Sequence, residues 1–497
     1  MWDHPSHPSL QSEADDAQDR DEAYGFGRLP ELRPREMPAF PGLLRALGPG
    51  VVWMALAQGS GELVWWPYIV AKYGLGFLFL LIPACLLQIP VNYEIGRYTL
   101  LTGESIWQGF IRLNRWVALA MWLAMSVSFL WLGGFVTAGK LDELTRFPAG
   151  WSPAARKLFW AYALIAVFFT ALLLSRVVYR MIERFMSVVA VVTLGGLVLA
   201  CSQDAVVSKL GEFASGLVVP RWPEGRTWDS SDATKLLTAI SFAGLGGFWT
   251  LFYSYWMREK GAGMAGHAGR ITSPITGRPE VIPSAGFWPE PGRTGGRRWR
   301  QWSRFLLADN AVGVVGNLLT TLMCCLLAYA LLFPRGQLPT EADPVGAQAE
   351  FFAARWGFWG GALFLLLATA FLSDTWMTTI DAVSRVHTDV VRAYVPAARR
   401  LSPRRWYWLF VLAAGGITVV TLPLGNPGEL ILLSAVIGFA GTVTFPVCLL
   451  ILNHRVLPRR LPVEYRPRRW SWIWIAAAIV AYTCLAAAYV CARFGRL

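Results

Sequence analysis

Apolar stretches of about twenty residues alternate with short polar segments along most of this chain of 497 residues. A helix needs roughly 20 mainly apolar residues to cross the hydrocarbon core of a bilayer. The pattern therefore predicts an all-α polytopic membrane protein with eleven spans. They are expected near residues 49–70, 75–100, 116–137, 158–174, 185–201, 233–257, 305–333, 358–382, 406–422, 430–451 and 472–491.

The first span carries a polar interruption at its centre, Gly59-Ser60-Gly61-Glu62. Each glycine weakens a helix interior by about 1 kcal/mol, which favours local unwinding. Backbone that is freed at membrane depth is tolerated only where it lines a cavity or is buried in protein, and an acid at that depth is a functional-site hypothesis by default. We interpret this segment as the broken centre of a transport helix. The alternative is a tight helix–helix contact in which a neighbour pairs with Glu62.

A second glycine cluster, Phe242 to Phe248, interrupts the sixth span. Broken helices at corresponding positions of two halves are typical of transporters built on inverted repeats. Five spans are an odd number, so spans 1–5 and 6–10 would have opposite topology and span 11 would lie outside the repeats. The half-helix ends at the two breaks are the predicted binding groups. The substrate-binding residues are predicted to be Gly59, Ser60, Gly61, Glu62, Ala243, Gly244, Gly247 and Thr250.

These spans divide the chain into five segments. Residues 1–42 are polar and predict a disordered cytoplasmic tail, whereas 258–304 form a cytoplasmic insertion rich in Gly, Pro and Arg. Residues 43–257 would contain the first repeat and span six, 305–455 the rest of the second repeat, and 456–497 the eleventh span.

Composition and charge agree with a membrane protein. The chain is 55 % hydrophobic and 15 % charged, well below the ~25 % charged residues of a soluble domain. The net charge of +13 comes from arginines between the apolar runs, which is the positive-inside pattern and needs no nucleic-acid partner. It predicts a plasma (inner) membrane protein with a cytoplasmic N-terminus and an external C-terminus. The seven cysteines have no metal-type spacing.

Further acids in the spans have separate interpretations. Asp374, deep in span eight, is predicted to couple a proton or cation to transport together with Glu62, with an internal ion pair as the alternative. Asp381 is expected to pair with Arg385, and Glu94 with Arg97 three positions away. Asp309 lies near the basic insertion, where a surface ion pair is expected.

Several short motifs resemble those of one known family. They are Gly48-Pro49-Gly50, Leu87-Gln88 with Arg97 and Thr102-Gly103-Glu104, Tyr179 to Arg184, and Leu432 to Val436 followed by Phe445-Pro446. In these residues the chain resembles the Nramp (natural resistance-associated macrophage protein) family of proton-coupled divalent metal transporters. The similarity spans about 44–453. It implies the LeuT fold of the amino acid–polyamine–organocation superfamily, and a proton- or ion-coupled transporter.

The functional positions depart from the family pattern. The metal-binding Asp of the first helix falls on Gly59 and its Asn on Glu62, while the Met-Pro-His of the sixth helix falls on Phe248-Trp249-Thr250. If the substrate is a metal, Glu62 and backbone carbonyls remain as hard ligands, which suit Mg²⁺ or Mn²⁺.

Two other classes of function stay open. The first is a transporter of a small organic solute such as an amino acid, held by the Gly-Ser-Gly break. The second is a membrane receptor or scaffold that transports nothing. An enzyme is not expected, since no nucleophile–base set is evident, and no cofactor is implied.

Overall fold

Long apolar helices form the body of the molecule, as a computed structural model of the chain describes it. The described residues are 26–137, 141–223, 228–244, 246–340 and 346–494. Among them, eight helices are long and apolar enough to cross a membrane. The number of membrane crossings, eleven, stays a prediction.

The helices over the eleven predicted spans are numbered α1 to α11. In the first half they are α1 (Pro49–Ala57, Gln58–Trp65, Trp66–Tyr73), α2 (Leu81–Leu86, Gln88–Thr102), α3 (Arg115–Ser128, Gly133–Thr137), α4 (Pro153–Leu174) and α5 (Val178–Cys201). In the second half they are α6 (Ala233–Phe242, Gly247–Phe252, Tyr253–Lys260), α7 (Arg293–Leu327), α8 (Glu350–Tyr394), α9 (Pro403–Thr421), α10 (Pro427–Ile451) and α11 (Arg469–Phe494). Short helices connect them at Leu43–Ala46, Ile106–Leu113, Leu141–Thr145, Asp204–Val207 and Leu210–Val218.

The predicted unwinding of span one is wrong. Its glycine segment continues as a π-helix, Gln58–Trp65, between two α-helical parts. A π-helix shifts hydrogen bonding to residue i+5 and so loosens the ladder without abandoning it, and such segments are frequent at functional sites. The side chains of Gly59, Ser60, Gly61 and Glu62 lie outside the described residues.

The centre of the bundle is built around α1. It packs against α5, α6, α7 and α8, and its π-helical part contacts the first half of α6. On the other side of α6 lies α10, which in turn contacts α2, α3 and α11. The π-helical part of α1 is therefore a neighbour of the helix that leads into the glycine cluster of α6.

The predicted tail and the basic insertion meet. Strand β1 (Arg33–Arg35) pairs in parallel with β2 (Phe287–Pro289), and Trp302 Nε1 donates to the carbonyl oxygen of Pro38 at 3.0 Å. The part of the predicted disordered tail from 26 to 42 is thus ordered, because its backbone finds partners in the insertion. Residues 1–25 lie outside the described residues. The first turns of α7 also begin inside the predicted insertion, at Arg293.

Candidate functional site

The centre of α6 is a true break in the helix. The α-helix ends at Phe242, and a 3₁₀ segment begins at Gly247. Gly244 and Gly247 have φ of +75° and +65°, a left-handed backbone that favours glycine. A methyl group at Gly246 would lie 1.7 Å from the carbonyl oxygen of Ser241. The glycines predicted from the sequence are therefore required by the geometry of the break.

Side chains of neighbouring helices hold the freed backbone groups. The N–H of Gly244 donates to Asn317 Oδ1 of α7 at 3.1 Å, and the N–H of Gly247 donates to Thr442 Oγ1 of α10 at 2.8 Å. Such capping replaces the lost intrahelical bonds. The sequence analysis missed Thr442; a polar residue within an apolar span was the signal that it offered.

Helix α2 contributes two buried amides to the same place. Thr250 Oγ1 is hydrogen-bonded to Asn92 Oδ1, and a methyl group at Gly244 would lie 3.0 Å from Gln88 Cγ. Within the described part of the chain, Gln88 Nε2, Asn92 Nδ2 and Asn317 Nδ2 are buried with no hydrogen-bond partner. A buried donor left unpaired costs about 1–3 kcal/mol. Three such donors around one break indicate a place for a group that accepts hydrogen bonds.

Aromatic rings close this place on one side. Trp249 is buried, and its Nε1 donates to Thr379 Oγ1 of α8 at 3.0 Å. Its ring packs edge-on against Phe129, between the two parts of α3, with ring centroids 4.7 Å apart. Gln58, the first residue of the π-helix, lines a cavity of about 20 Å³ together with residues of α5, α7 and α8. That volume holds about one water molecule.

Asp374 of α8 is a buried carboxyl group with little support. Thr375 Oγ1 lies 3.5 Å from its Oδ1, and its Oδ2 has no partner among the described residues. Helix α8 packs against the π-helix of α1. An unpaired charge in an apolar interior is strongly disfavoured, so this group is stable there only when protonated, hydrated or bound to a cation.

The predicted surface pair of Asp309 is wrong. The carboxylate is fully buried and accepts from Gly50 N at 2.7 Å, Gly48 N at 3.3 Å and the Tyr253 hydroxyl at 2.8 Å. It caps the N-terminus of α1, where the helix dipole favours negative charge. Asp309 is thus a structural tie between α1, α6 and α7.

The two predicted local ion pairs are confirmed. Arg385 donates to Asp381 at 2.8–3.1 Å, and Arg97 Nε lies 3.0 Å from Glu94 Oε2. Arg385 also binds Glu259 at the end of α6, and Tyr407 of α9 donates to Asp381 at 2.7 Å. This network joins α6, α8 and α9 at the end predicted to be cytoplasmic.

A second network of charged and polar residues lies at the opposite end of α6. Lys72 of α1 pairs with Asp232, just before α6, at 2.6 Å, and the hydroxyls of Tyr68 and Tyr73 donate to the same carboxylate at 3.0 and 2.8 Å. Burial alone would raise the pKa of Asp232, but hydrogen bonds from Lys72 and Tyr73 hold it below its ordinary value. Charge therefore ties α1 to the start of α6 at this end, whereas the network at the other end joins α6 to α8 and α9.

The predicted site residues divide between the α6 break and the π-helix of α1. Ala243, Gly244, Gly247 and Thr250 lie at the α6 break, and the π-helix that contains positions 59–62 contacts the first half of α6. Within the described residues, no group of three or more His, Cys, Asp or Glu side chains is arranged to hold a metal ion.

Comparison with known proteins concerns the fold. No protein-family model matches the chain, and no curated protein matches its sequence. Among solved structures, a mutant of the manganese transporter of Eremococcus coleocola is similar with a TM-score of 0.64 and 16 % identity, over 94 % of this chain and 91 % of that one. The same transporter in complex with an aromatic bis-isothiourea substituted compound gives 0.63 at 16 % identity and the same coverage.

A second kind of protein shares the architecture. Mhp1, a nucleobase-cation-symport-1 family transporter in a closed conformation with bromovinylhydantoin bound, matches with a TM-score of 0.52 and 13 % identity, over 93 % of this chain and 96 % of that one. The chain has the LeuT-like fold. The all-α polytopic architecture with inverted five-helix repeats is thereby confirmed. In this fold, α1 and α6 are the equivalent first helices of the two repeats.

Proposed function

We propose that the protein is an ion- or proton-coupled secondary transporter of a small organic solute, bound at the α6 break beside the π-helix of α1. The observation that carries this proposal is the set of three unpaired amide donors of Gln88, Asn92 and Asn317. Donors of this kind suit a carboxylate or carbonyl oxygen, such as that of an amino acid, and repel a bare cation. The LeuT-like fold supports transport in general, because its members bind substrate near the middle of these helices.

The coupling role falls to acids near the site. Asp374 has no compensating cation among the described residues, so protonation or binding of a cation would relieve it. Glu62 is proposed as its partner in coupling, from its position in the π-helix. The two charge networks at the ends of α6, one with α1 and the other with α8 and α9, would open in turn as access alternates.

A hard divalent cation, Mg²⁺ or Mn²⁺, is the second candidate substrate. The likeness to a manganese transporter favours it, and Glu62 with backbone carbonyls would be the ligands. We also propose the orientation given by the arginine pattern, with the N-terminus in the cytoplasm of a plasma (inner) membrane.

The two substrates are separated by a binding experiment on the purified protein. Amino acids, Mg²⁺ and Mn²⁺ are titrated by calorimetry, and the same compounds are tested for uptake in proteoliposomes. Gln88→Met removes one unpaired donor and breaks no hydrogen bond with the described residues, so it should weaken an organic substrate about threefold to tenfold, as expected for one neutral hydrogen bond. It should leave binding of a metal ion unchanged.

Gln203→Met is the matched control. Gln203 is also buried, but its Nε2 donates to the carbonyl oxygens of Ala200 and Phe351 at 2.8 Å, away from the break. This change should lower thermal stability and leave affinity intact. Binding of Mn²⁺ without binding of any organic solute would contradict the first candidate and support the second.

Glu62→Gln distinguishes the roles proposed for that acid. If Glu62 binds metal, the change abolishes metal binding. If it carries a proton, substrate still binds, but uptake driven by a pH gradient stops. Nearly unchanged uptake would mean that Glu62 only caps a helix, and would contradict its functional role.

A further inference from the structure

A large basic cavity lies at the N-terminal end of α7. Its volume is about 990 Å³. The walls are the first turns of α7, the segment that precedes α11, and Arg97 of α2. Nothing in the proposed transport cycle uses it.

One face of α7 provides a row of arginines to this cavity. Arg293, Arg297, Arg300 and Arg304 follow one another at spacings of four, three and four, which places them on one side of an α-helix. All four are exposed, and none forms an ion pair with a described residue. Arg298, on another side of the helix, pairs with Glu36 at 2.7 Å instead. Four like charges held side by side without counter-charges favour an anionic ligand.

The opposite wall adds positive charge and one carboxylate. Arg466 and Arg468 line it, together with Glu464, whose Oε1 accepts from the N–H of Gly292 at 3.0 Å. The cavity therefore has a strong excess of arginine.

Arg97 provides a buried donor in the same cavity. Its side chain is 2 % exposed; Nε binds Glu94 and Nη2 donates to the carbonyl oxygen of Asn453 at 2.7 Å. Nη1 has no partner within the described part of the chain. Because two hydrogen bonds already fix this guanidinium group, its third nitrogen can bind a ligand without a further loss of side-chain entropy.

The length of α7 and a group of tryptophans favour an opening of the cavity at the depth of lipid headgroups. Helix α7 has 35 residues and is thus about 52 Å long, against the ~30 Å of a hydrocarbon core, so its first turns project from the membrane. Trp470 lines the cavity at the start of α11, followed by the exposed Trp472 and Trp474. Tryptophans at a helix end mark the membrane–water interface.

We propose that this cavity binds a phosphate-bearing anion, supplied by the headgroup of an acidic phospholipid. Arginine binds phosphate oxygens through two parallel N–H bonds, and basic pockets between spans on the cytoplasmic side recognise such headgroups. A soluble phosphate has the same chemistry, so the test separates the two sources.

The test uses the full chain in detergent and native mass spectrometry with added phosphatidylglycerol or phosphatidylcholine. The protein should retain one phosphatidylglycerol in preference to phosphatidylcholine. Arg300→Gln/Arg304→Gln should weaken this binding about 30-fold, from roughly fivefold for each arginine at a membrane surface. The matched control, Arg180→Gln/Arg184→Gln, changes two exposed arginines, also four apart, at the start of α5. It should leave binding unchanged.

A conservative variant and a soluble anion complete the test. Arg300→Lys/Arg304→Lys keeps the charge and loses the two-bond geometry, so its affinity for phosphatidylglycerol should fall only severalfold. This variant also tests the cavity if the Gln variant fails to fold. Equal losses in the α7 and α5 variants would reduce the effect to general surface charge and overturn the proposal. Binding of inorganic pyrophosphate without binding of phosphatidylglycerol would overturn the lipid source.

Discussion

Asp309 and Asp374 lie in neighbouring spans, and both carboxyl groups are fully buried. Asp309 accepts three hydrogen bonds that tie α1 and α6 to α7. Asp374 has the hydroxyl of Thr375 at 3.5 Å, and its other oxygen has no partner among the described residues. The carboxyl group of Asp309 therefore stabilises the packing of three helices, whereas that of Asp374 is left available for binding or proton transfer. What separates the two is the number of fixed donors, and not burial.

The largest effect is expected from Asp374→Asn. The amide neither releases a proton nor binds a cation strongly, so uptake driven by an ion gradient should fall to background in proteoliposomes. Thermal stability should stay the same or rise, because an unsupported buried charge is removed. Normal uptake by this variant would contradict the coupling role of Asp374.

Asp309→Asn should instead damage the fold. The new NH₂ group is a donor where the structure needs an acceptor. Hydrogen bonds to a charged acceptor contribute about 1.5–3 kcal/mol each, so the free energy of unfolding should fall by roughly 3 kcal/mol or more. Unfolding in detergent measures it. Asp204→Asn, at an exposed acid, is the control and should change stability by less than about 0.5 kcal/mol. An unchanged unfolding midpoint for Asp309→Asn would contradict its structural role.

The partners of these acids explain what could be read from the sequence. Asp381–Arg385 and Glu94–Arg97 were predictable because residues three or four apart meet on any helix. The three donors to Asp309 are 56, 259 and 261 positions away from it, so only the tertiary fold brings them together.

The same distinction applies to the glycine clusters. Both clusters predicted an unwound helix, which is correct for α6 and wrong for α1, and their paired positions predicted the fold. Whether the ladder breaks depends on distant caps. Asn317 and Thr442 hold a true break in α6, whereas the segment in α1 keeps its bonding as a π-helix.

A smaller effect is expected from Thr375→Val. The hydroxyl at 3.5 Å is a weak donor to Asp374, so stability should change by less than about 1 kcal/mol. Uptake should persist, because the carboxyl group of Asp374 itself is kept. Uptake that stops altogether would show that Thr375 is part of the site itself.

Tyr253→Phe removes a single hydroxyl group and sharpens the comparison through a double-mutant cycle. Alone it removes one of three donors to Asp309 and should cost about 1 kcal/mol of stability. In the Asp309→Asn background most of this cost should vanish, because the acceptor is already gone, which gives a coupling energy of about 1 kcal/mol. In the Asp374→Asn background the full cost should remain, since no hydrogen bond joins Tyr253 to Asp374 in the described structure, and the two changes should add to within about 0.5 kcal/mol. Equal coupling to both acids would mean that they belong to one polar network, and that the division between a structural and an available carboxylate is wrong.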